Sequence, residues 1–250
     1  MTDSLRPKQQ WTPDRILERL RHDRPLFHQV GVGSPHLAKL GISVPAGLYT
    51  FGVDPLALEW IAGQLNEEMI TLETGAGNTT VIFAALAKEH YCFTAASGEQ
   101  ERITAYLKSL QISPERVHFV IGQSDATLPR WNMGQIVDFA YIDGAHGYPL
   151  PALDWHYIDK ALKIGGTVGM DNSELRPVRE HCEFLEENGT YDLLHKFYGG
   201  TFSSFYQKKL NEFREWTEQA YSRKKRDPCD WKLKTRVRRH LSRWIKPYLL

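Results

Sequence analysis

From Met69 to Gln207, short apolar runs alternate with longer helical stretches, and this rhythm constrains the fold more than any other feature of the chain. Met69–Glu73, Tyr91–Thr94, Val117–Ile121, Ile136–Ile142 and Gly166–Met170 read as strands, each bounded by turn-forming or polar residues. Thr79–Lys88, Glu99–Leu110 and Leu150–Leu162 read as the helices between them. Strands that are apolar throughout, separated by helices, imply a parallel sheet buried on both faces. The rhythm changes at its end. After a helix at Pro177–Glu187, the runs Tyr191–Phe197 and Thr201–Gln207 flank Tyr198-Gly199-Gly200, which predicts an antiparallel hairpin. The expected fold class is therefore α/β, with a seven-stranded, mostly parallel sheet.

Three segments follow from this pattern: an N-terminal helical extension over 1–66, the α/β domain over 67–210 and a basic tail over 211–250. In the extension, Thr12 caps a short helix with Pro13 at its first position. Gly31–Gly47 reads as loop, and Pro55–Leu65 as a second helix. The net charge of +1 conceals an uneven distribution, with 11 Lys and Arg against two Asp from Arg223 onward. Leu233, Val237, Leu241, Trp244, Ile245 and Tyr248 fall on one helical face of that tail, among basic residues. Such a helix docks on the acidic body of its own chain or of a second copy, giving a homo-oligomer, or lies on an anionic membrane surface. Nucleic acid is not favoured as a partner, because no RNA-binding motif accompanies the charge. The three cysteines, Cys92, Cys182 and Cys229, show no disulfide or zinc spacing. Without an apolar leader or a run of roughly 18 apolar residues, the expected location is cytoplasmic.

The densest chemical signal is Leu72-Glu73-Thr74-Gly75-Ala76-Gly77-Asn78-Thr79-Thr80, where the first strand passes into the first helix. Glycines there let the chain turn tightly and a ligand approach the backbone. The third glycine of the dinucleotide fingerprint is replaced by Thr80. Glu73, two residues before the first glycine, would repel a pyrophosphate. A cationic ligand without phosphate suits that turn better.

Three further segments complete the pattern: Ile121-Gly122-Gln123-Ser124-Asp125, Asp138-Phe139-Ala140-Tyr141-Ile142-Asp143-Gly144-Ala145-His146, and Gly165-Gly166-Thr167-Val168-Gly169-Met170-Asp171. With the glycine turn, in this order, the chain resembles the class I methyltransferases that use S-adenosylmethionine (SAM). The resemblance runs from about Met69 to Gln207 and implies a Rossmann-like sheet with helices on both faces. It implies that Glu73, Thr74, Gly75, Ala76, Gly77, Asn78, Thr79, Gly122, Ser124, Asp125 and Asp143 contact SAM, the adenine lying near Gly122–Asp125. The family ends its second strand with an acidic residue that holds the ribose. Here the strand ends Phe93-Thr94-Ala95-Ala96-Ser97, so Ser97, Glu99, or backbone and water take that role.

Asp143 ends the fourth strand and Asp171-Asn172 the fifth, and neighbouring carboxyl ends of a parallel sheet face one crevice. Two carboxylates and an amide oxygen are hard ligands suited to Mg²⁺ or another divalent cation. The set is similar to that of metal-dependent O-methyltransferases, and Asp143-Gly-Ala-His146 resembles the Asp-Gly-x-His segment of bacterial enzymes that methylate hydroxyls. This implies a small-molecule or sugar acceptor, with Asp143 and His146 as catalytic residues and His146 as base. Other readings stay open: a metal-free N- or O-methyltransferase, a nicotinamide-dependent oxidoreductase, or a binding module. His146 also reads as a residue that fixes its loop. Trp155, His156 and Tyr157 read as helix packing or surface, and Cys92 as core.

Overall fold

The computed structural model describes residues 11–25, 27, 52–132, 134–212, 215 and 217–223. The described residues up to Glu212 form one compact unit, and the few beyond it belong to a second, with a four-residue helix at Ala220–Arg223. The loop expected over 31–47 and the amphipathic tail lie outside the described residues. No helix among the described residues is long and apolar enough to cross a membrane.

The first unit opens with α1 (Pro13–Asp23) and α2 (Pro55–Gln64). Thr12 Oγ1 accepts from the Arg15 amide, and Asp54 Oδ1 from the Leu56 amide at 2.8 Å, so each helix has a side-chain cap and a proline in its first turn. The alternating part follows as β1 (Ile70–Thr74), α3 (Asn78–Leu86), β2 (Glu89–Thr94), α4 (Ser97–Ser109), β3 (Val117–Ile121), a short α5 (Ser124–Thr127), β4 (Val137–Ile142), α6 (Leu150–Ala161), β5 (Leu162–Met170), α7 (Arg176–Asn188), β6 (Tyr191–Phe197) and β7 (Ser203–Lys208). The seven strands form one sheet in the order β3-β2-β1-β4-β5-β7-β6. The first five are parallel, and β7 pairs antiparallel with both β5 and β6. This is the expected sheet with its terminal hairpin.

Side-chain alternation along β4 divides the core. Phe139 and Tyr141 pack with α1, α2, α3 and α4 through Ile16, Ile61, Val81 and Ile103. Ala140 and Ile142 pack with α6 and α7 through Trp155, Ile158, Val178 and Leu185. Both faces of the sheet are therefore covered, and α1 and α2 share the first of these cores with α3 and α4.

The strand order reverses between β1 and β4, so their connections leave in opposite directions and open a crevice at the carboxyl ends. Four amides extend the ladder one residue beyond the strands: Gly75 to Phe93 O, Gly122 to Thr94 O, Asp143 to Thr74 O and Asp171 to Ile142 O, each at 2.9–3.0 Å. These bonds level the ends of β1, β3, β4 and β5, and so position everything built on them.

Candidate functional site

The crevice at these strand ends encloses about 250 Å³. Its walls are Thr74, Gly75 and Ala76 after β1; Phe93–Ala96 and Glu99 after β2; Gly122, Gln123 and Ser124 after β3; and Asp143, Gly144 and Ala145 after β4. A larger groove of about 390 Å³ runs between α1 and the end of α4, past Trp11, Arg15 and Gln111. It lies away from the strand ends, whereas the crevice sits at the sheet's switch point, where α/β folds bind ligands.

The glycine turn is tight because backbone meets backbone. Gly75 has φ of +88°, and a Cβ there would lie 2.2 Å from the Asp143 carbonyl oxygen. Thr74, Gly75, Ala76, Gly122, Ser124 and Asp143 thus come together as the sequence implied. Gly77, Asn78 and Asp125 stand outside the lining, in the first turns of α3 and α5 or beside them.

Glu73 is placed differently from its expected position on the rim. It is fully buried beneath the turn, on the α3 side of the sheet. Its carboxylate accepts from Thr79 Oγ1 at 2.6 Å and from Thr80 Oγ1, and lies 3.1 Å from His90 Nε2. Thr80 Oγ1 in turn accepts from the Gly77 amide at 2.9 Å. The first turn of α3 sits on this carboxylate, where the helix N-terminus and its hydroxyls satisfy it. Glu73 and Thr79 therefore support the crevice from below instead of lining it. Thr71 Oγ1 holds the other nitrogen of His90 at 2.9 Å. Glu73, His90 and Cys92 form the one cluster of three His, Cys, Asp or Glu ligand atoms among the described residues, and its carboxylate and imidazole are taken up by these hydrogen bonds.

After β2 the acidic residue lining the crevice is Glu99, and Ser97 is not among the lining residues. Glu99 lines it from the first turn of α4 and accepts from Thr94 Oγ1 at 2.5 Å, while Ser97 is exposed. No lysine or arginine occurs among the lining residues. The walls thus suit a ligand with hydroxyls, a flat apolar ring and positive charge, and offer no cationic partner to a phosphate. Phe93, Thr94, Ala95, Ala96, Gly144 and Ala145 also line the crevice and were not anticipated as contacts, and Gln123 lines it within the stretch expected beside the adenine. Their signal was position alone, within or next to the expected motifs.

Beside the crevice, Asp143 and Asp171 stand at adjoining strand ends, close enough for each charge to be felt by the other. Asp171 is buried, and its Oδ1 accepts from Ser203 Oγ at 2.7 Å and Tyr141 OH at 3.1 Å. Burial raises the pKa of both carboxyls, and the Asp171 charge raises that of Asp143 further. Asn172 follows in the left-handed region, φ +52°, with its amide nitrogen donating to Glu174 Oε1 at 3.1 Å. His146 Nε2 stands 3.8 Å from Asp143 Oδ1, half-buried. Burial lowers the His146 pKa, against the opposing pull of Asp171 and Glu174, so the neutral imidazole is favoured.

Residues 72–173 match a family model described as a methyltransferase domain. Solved structures with this fold include an rRNA methylase from Streptococcus thermophilus, 17% identical, covering 65% of this chain and 100% of that one at a TM-score of 0.52. A protein from Corynebacterium glutamicum is 16% identical over 80% of this chain and 92% of that one, at a TM-score of 0.55. A SAM-dependent O-methyltransferase from Thermotoga maritima is 16% identical over 66% of this chain and 69% of that one, at a TM-score of 0.52. None of the curated proteins matches the chain. At such identities the solved structures establish the fold alone. Residues 72–173 of the chain are thus similar to a methyltransferase domain.

Proposed function

We propose that this chain methylates a hydroxyl of a small molecule or sugar, with a divalent cation beside the crevice. The observation that carries this reading is the Asp143–Asp171 pair. Two carboxylates stand at adjoining strand ends, each disfavoured as an anion by burial and Asp143 further by the Asp171 charge, and that repulsion is what a divalent cation relieves. The donor set fits Mg²⁺ in chemistry: Asp143, Asp171 and the amide oxygen of Asn172, whose nitrogen is engaged by Glu174. A metal bound there lowers the pKa of the acceptor hydroxyl.

SAM supplies the methyl group when bound in the crevice. Gly75 and Gly122 let its backbone-facing parts approach, Glu99 accepts from the ribose hydroxyls, and Gln123 and Ser124 border the adenine. Tyr141 and Ser203 hold Asp171 in place. His146 Nε2 takes the proton of the acceptor hydroxyl, a task suited to a half-buried, neutral imidazole. Holding acceptor and methyl donor in one geometry accounts for much of the expected acceleration.

The test is transfer of labelled methyl from SAM to a panel of sugars and hydroxylated small molecules, in EDTA and after Mg²⁺ is restored. Transfer that vanishes in chelator and returns with Mg²⁺ supports the reading. Full transfer in chelator favours the metal-free alternative, and transfer to nitrogen or RNA alone overturns the acceptor class.

A further inference from the structure

Helix α6 places Asp154 directly behind the crevice wall. The residue is fully buried. Neither of its carboxylate oxygens, nor Thr74 Oγ1, completes a well-aligned hydrogen bond among the described residues. The Thr74 and Ser124 hydroxyls lie close enough to favour the ionised form, yet the carboxyl is pushed up to about 6, by burial first and by the Asp125 charge. Gly144 separates these groups from the crevice: a Cβ there would lie 3.1 Å from Thr74 Oγ1 and 3.4 Å from Asp154 Oδ2. Asp154 therefore stands where the loops after β1, β3 and β4 meet, and Thr74, Ser124 and Gly144 all line the crevice.

A buried carboxylate without aligned partners weakens a fold. Asparagine or leucine at this position would be less costly for packing alone. An orphaned acceptor behind three binding loops has a use only if those loops close onto it.

We propose that Asp154 is a positioning residue for the nucleoside part of SAM, acting through the hydroxyls of Thr74 and Ser124. Its carboxylate accepts from both when the cofactor seats, and so fixes the distance between the β1 and β3 loops on either side of the ligand. The proposal rests on the crevice being the SAM site. It places a determinant of cofactor affinity on α6, outside the four sequence motifs.

The test uses the full chain, calorimetry with S-adenosylhomocysteine (SAH), and thermal melting of wild type, Asp154→Asn, Ser124→Ala and the double variant. The expected result is that Asp154→Asn melts at the same or a higher temperature at pH 8 but binds SAH roughly tenfold more weakly. Ser124→Ala should weaken SAH as well, and the double variant should lose no more than Asp154→Asn alone, since that change already removes the interaction with Ser124. Wild-type affinity should fall between pH 7 and pH 5, and that of Asp154→Asn should stay level. Unchanged SAH affinity in Asp154→Asn overturns the proposal, as does a loss of affinity that follows a lowered melting temperature. If Asp154→Asn does not fold, the Ser124→Ala variant decides: unchanged SAH affinity there overturns the proposal. Failure of wild type itself to bind SAH overturns instead the assignment of the crevice on which the proposal stands.

Discussion

The α-carbon of Gly75 is packed against the carbonyl of Asp143, so that a Cβ would sit 2.2 Å from the oxygen and 2.8 Å from the carbon. The contact joins the loop after β1 to the loop after β4 at the centre of the crevice. Gly75→Ala must both strain a positive φ and separate the two loops, because the obstacle is backbone and cannot rotate away. The expected outcome is a loss of roughly 2–4 kcal/mol in stability together with loss of SAH binding. Urea unfolding and calorimetry check this, and retention of both properties would show that the loops can move apart at little cost.

Ser203 reaches from β7 to hold Asp171, and this bond makes the antiparallel hairpin part of the site. Ser203→Ala should weaken Mg²⁺ binding by about 10–100-fold, as loss of an outer hydrogen bond to a metal ligand commonly does. Asp171→Asn should remove the response of methyl transfer to Mg²⁺ altogether while leaving SAH binding in place. Activity titrated with Mg²⁺ in the two variants separates these effects. A Ser203→Ala protein with an unchanged Mg²⁺ midpoint would detach the hairpin from the chemistry.

His146 sits on the same loop as Asp143, its Nε2 3.8 Å from Asp143 Oδ1, and feels the charges of Asp171 and Glu174. As the base it acts on the acceptor and not on the cofactor. His146→Ala should lower kcat by about 10²–10⁴-fold and leave the SAH dissociation constant within about twofold. Single-turnover transfer and calorimetry on the same preparation measure the two. Equal losses in both would mean that His146 shapes the crevice instead of moving a proton.

Much of the fold was legible because apolar runs and glycine turns alternate so regularly. β3 and β6 match their expected bounds, Val117–Ile121 and Tyr191–Phe197. β5 begins at Leu162, four residues before its expected start at Gly166, because Leu162 already pairs with Val137 ahead of a register shift. Gly165, at φ +85°, interrupts the sequence pattern there without ending the strand. The site was less legible, since its geometry depends on which face each residue takes. Both faces of β1 are buried, so alternation could not show that Glu73 turns under α3. Glu99 was one of several choices for the ribose, and the bend into α4 brings it back beside Thr94. For Asp154 a signal was present. Pro151, Asp154, Trp155 and Ile158 share the buried stripe of α6, so a carboxylate occupies an apolar position.

Glu73 lends itself to a test of that inward placement. Glu73→Gln keeps the shape but sets an amide donor against two threonine hydroxyls that now donate to the carboxylate. Stability should fall by about 1–3 kcal/mol. SAH affinity should fall less than in a variant of the crevice wall such as Gly122→Val. Guanidinium unfolding beside calorimetry makes the comparison. A large loss of affinity with unchanged stability would put Glu73 back on the ligand side of the turn.

Asp154 gives the fold a defined dependence on pH. Its folded pKa, about 6, lies above the ordinary value of 3.8, chiefly because burial disfavours the charge. Below about pH 4 the carboxyl is protonated in both folded and unfolded chains, and its contribution is fully favourable. As pH rises toward 6 the unfolded chain ionises freely while the folded one resists, so stability is lost across that window. Above pH 6 both are ionised, and the folded state carries the whole cost, about 3 kcal/mol for a shift of two units. Asp154→Asn, which has no proton to release, should therefore gain little over wild type at pH 4 and up to about 3 kcal/mol at pH 8. Chemical unfolding of both proteins at a series of pH values measures the difference directly. A constant difference from pH 4 to pH 8 would mean that Asp154 is not held above its ordinary range. A difference that grows with pH, set beside weaker SAH binding in the same variant, would show stability given up at α6 to hold the cofactor loops.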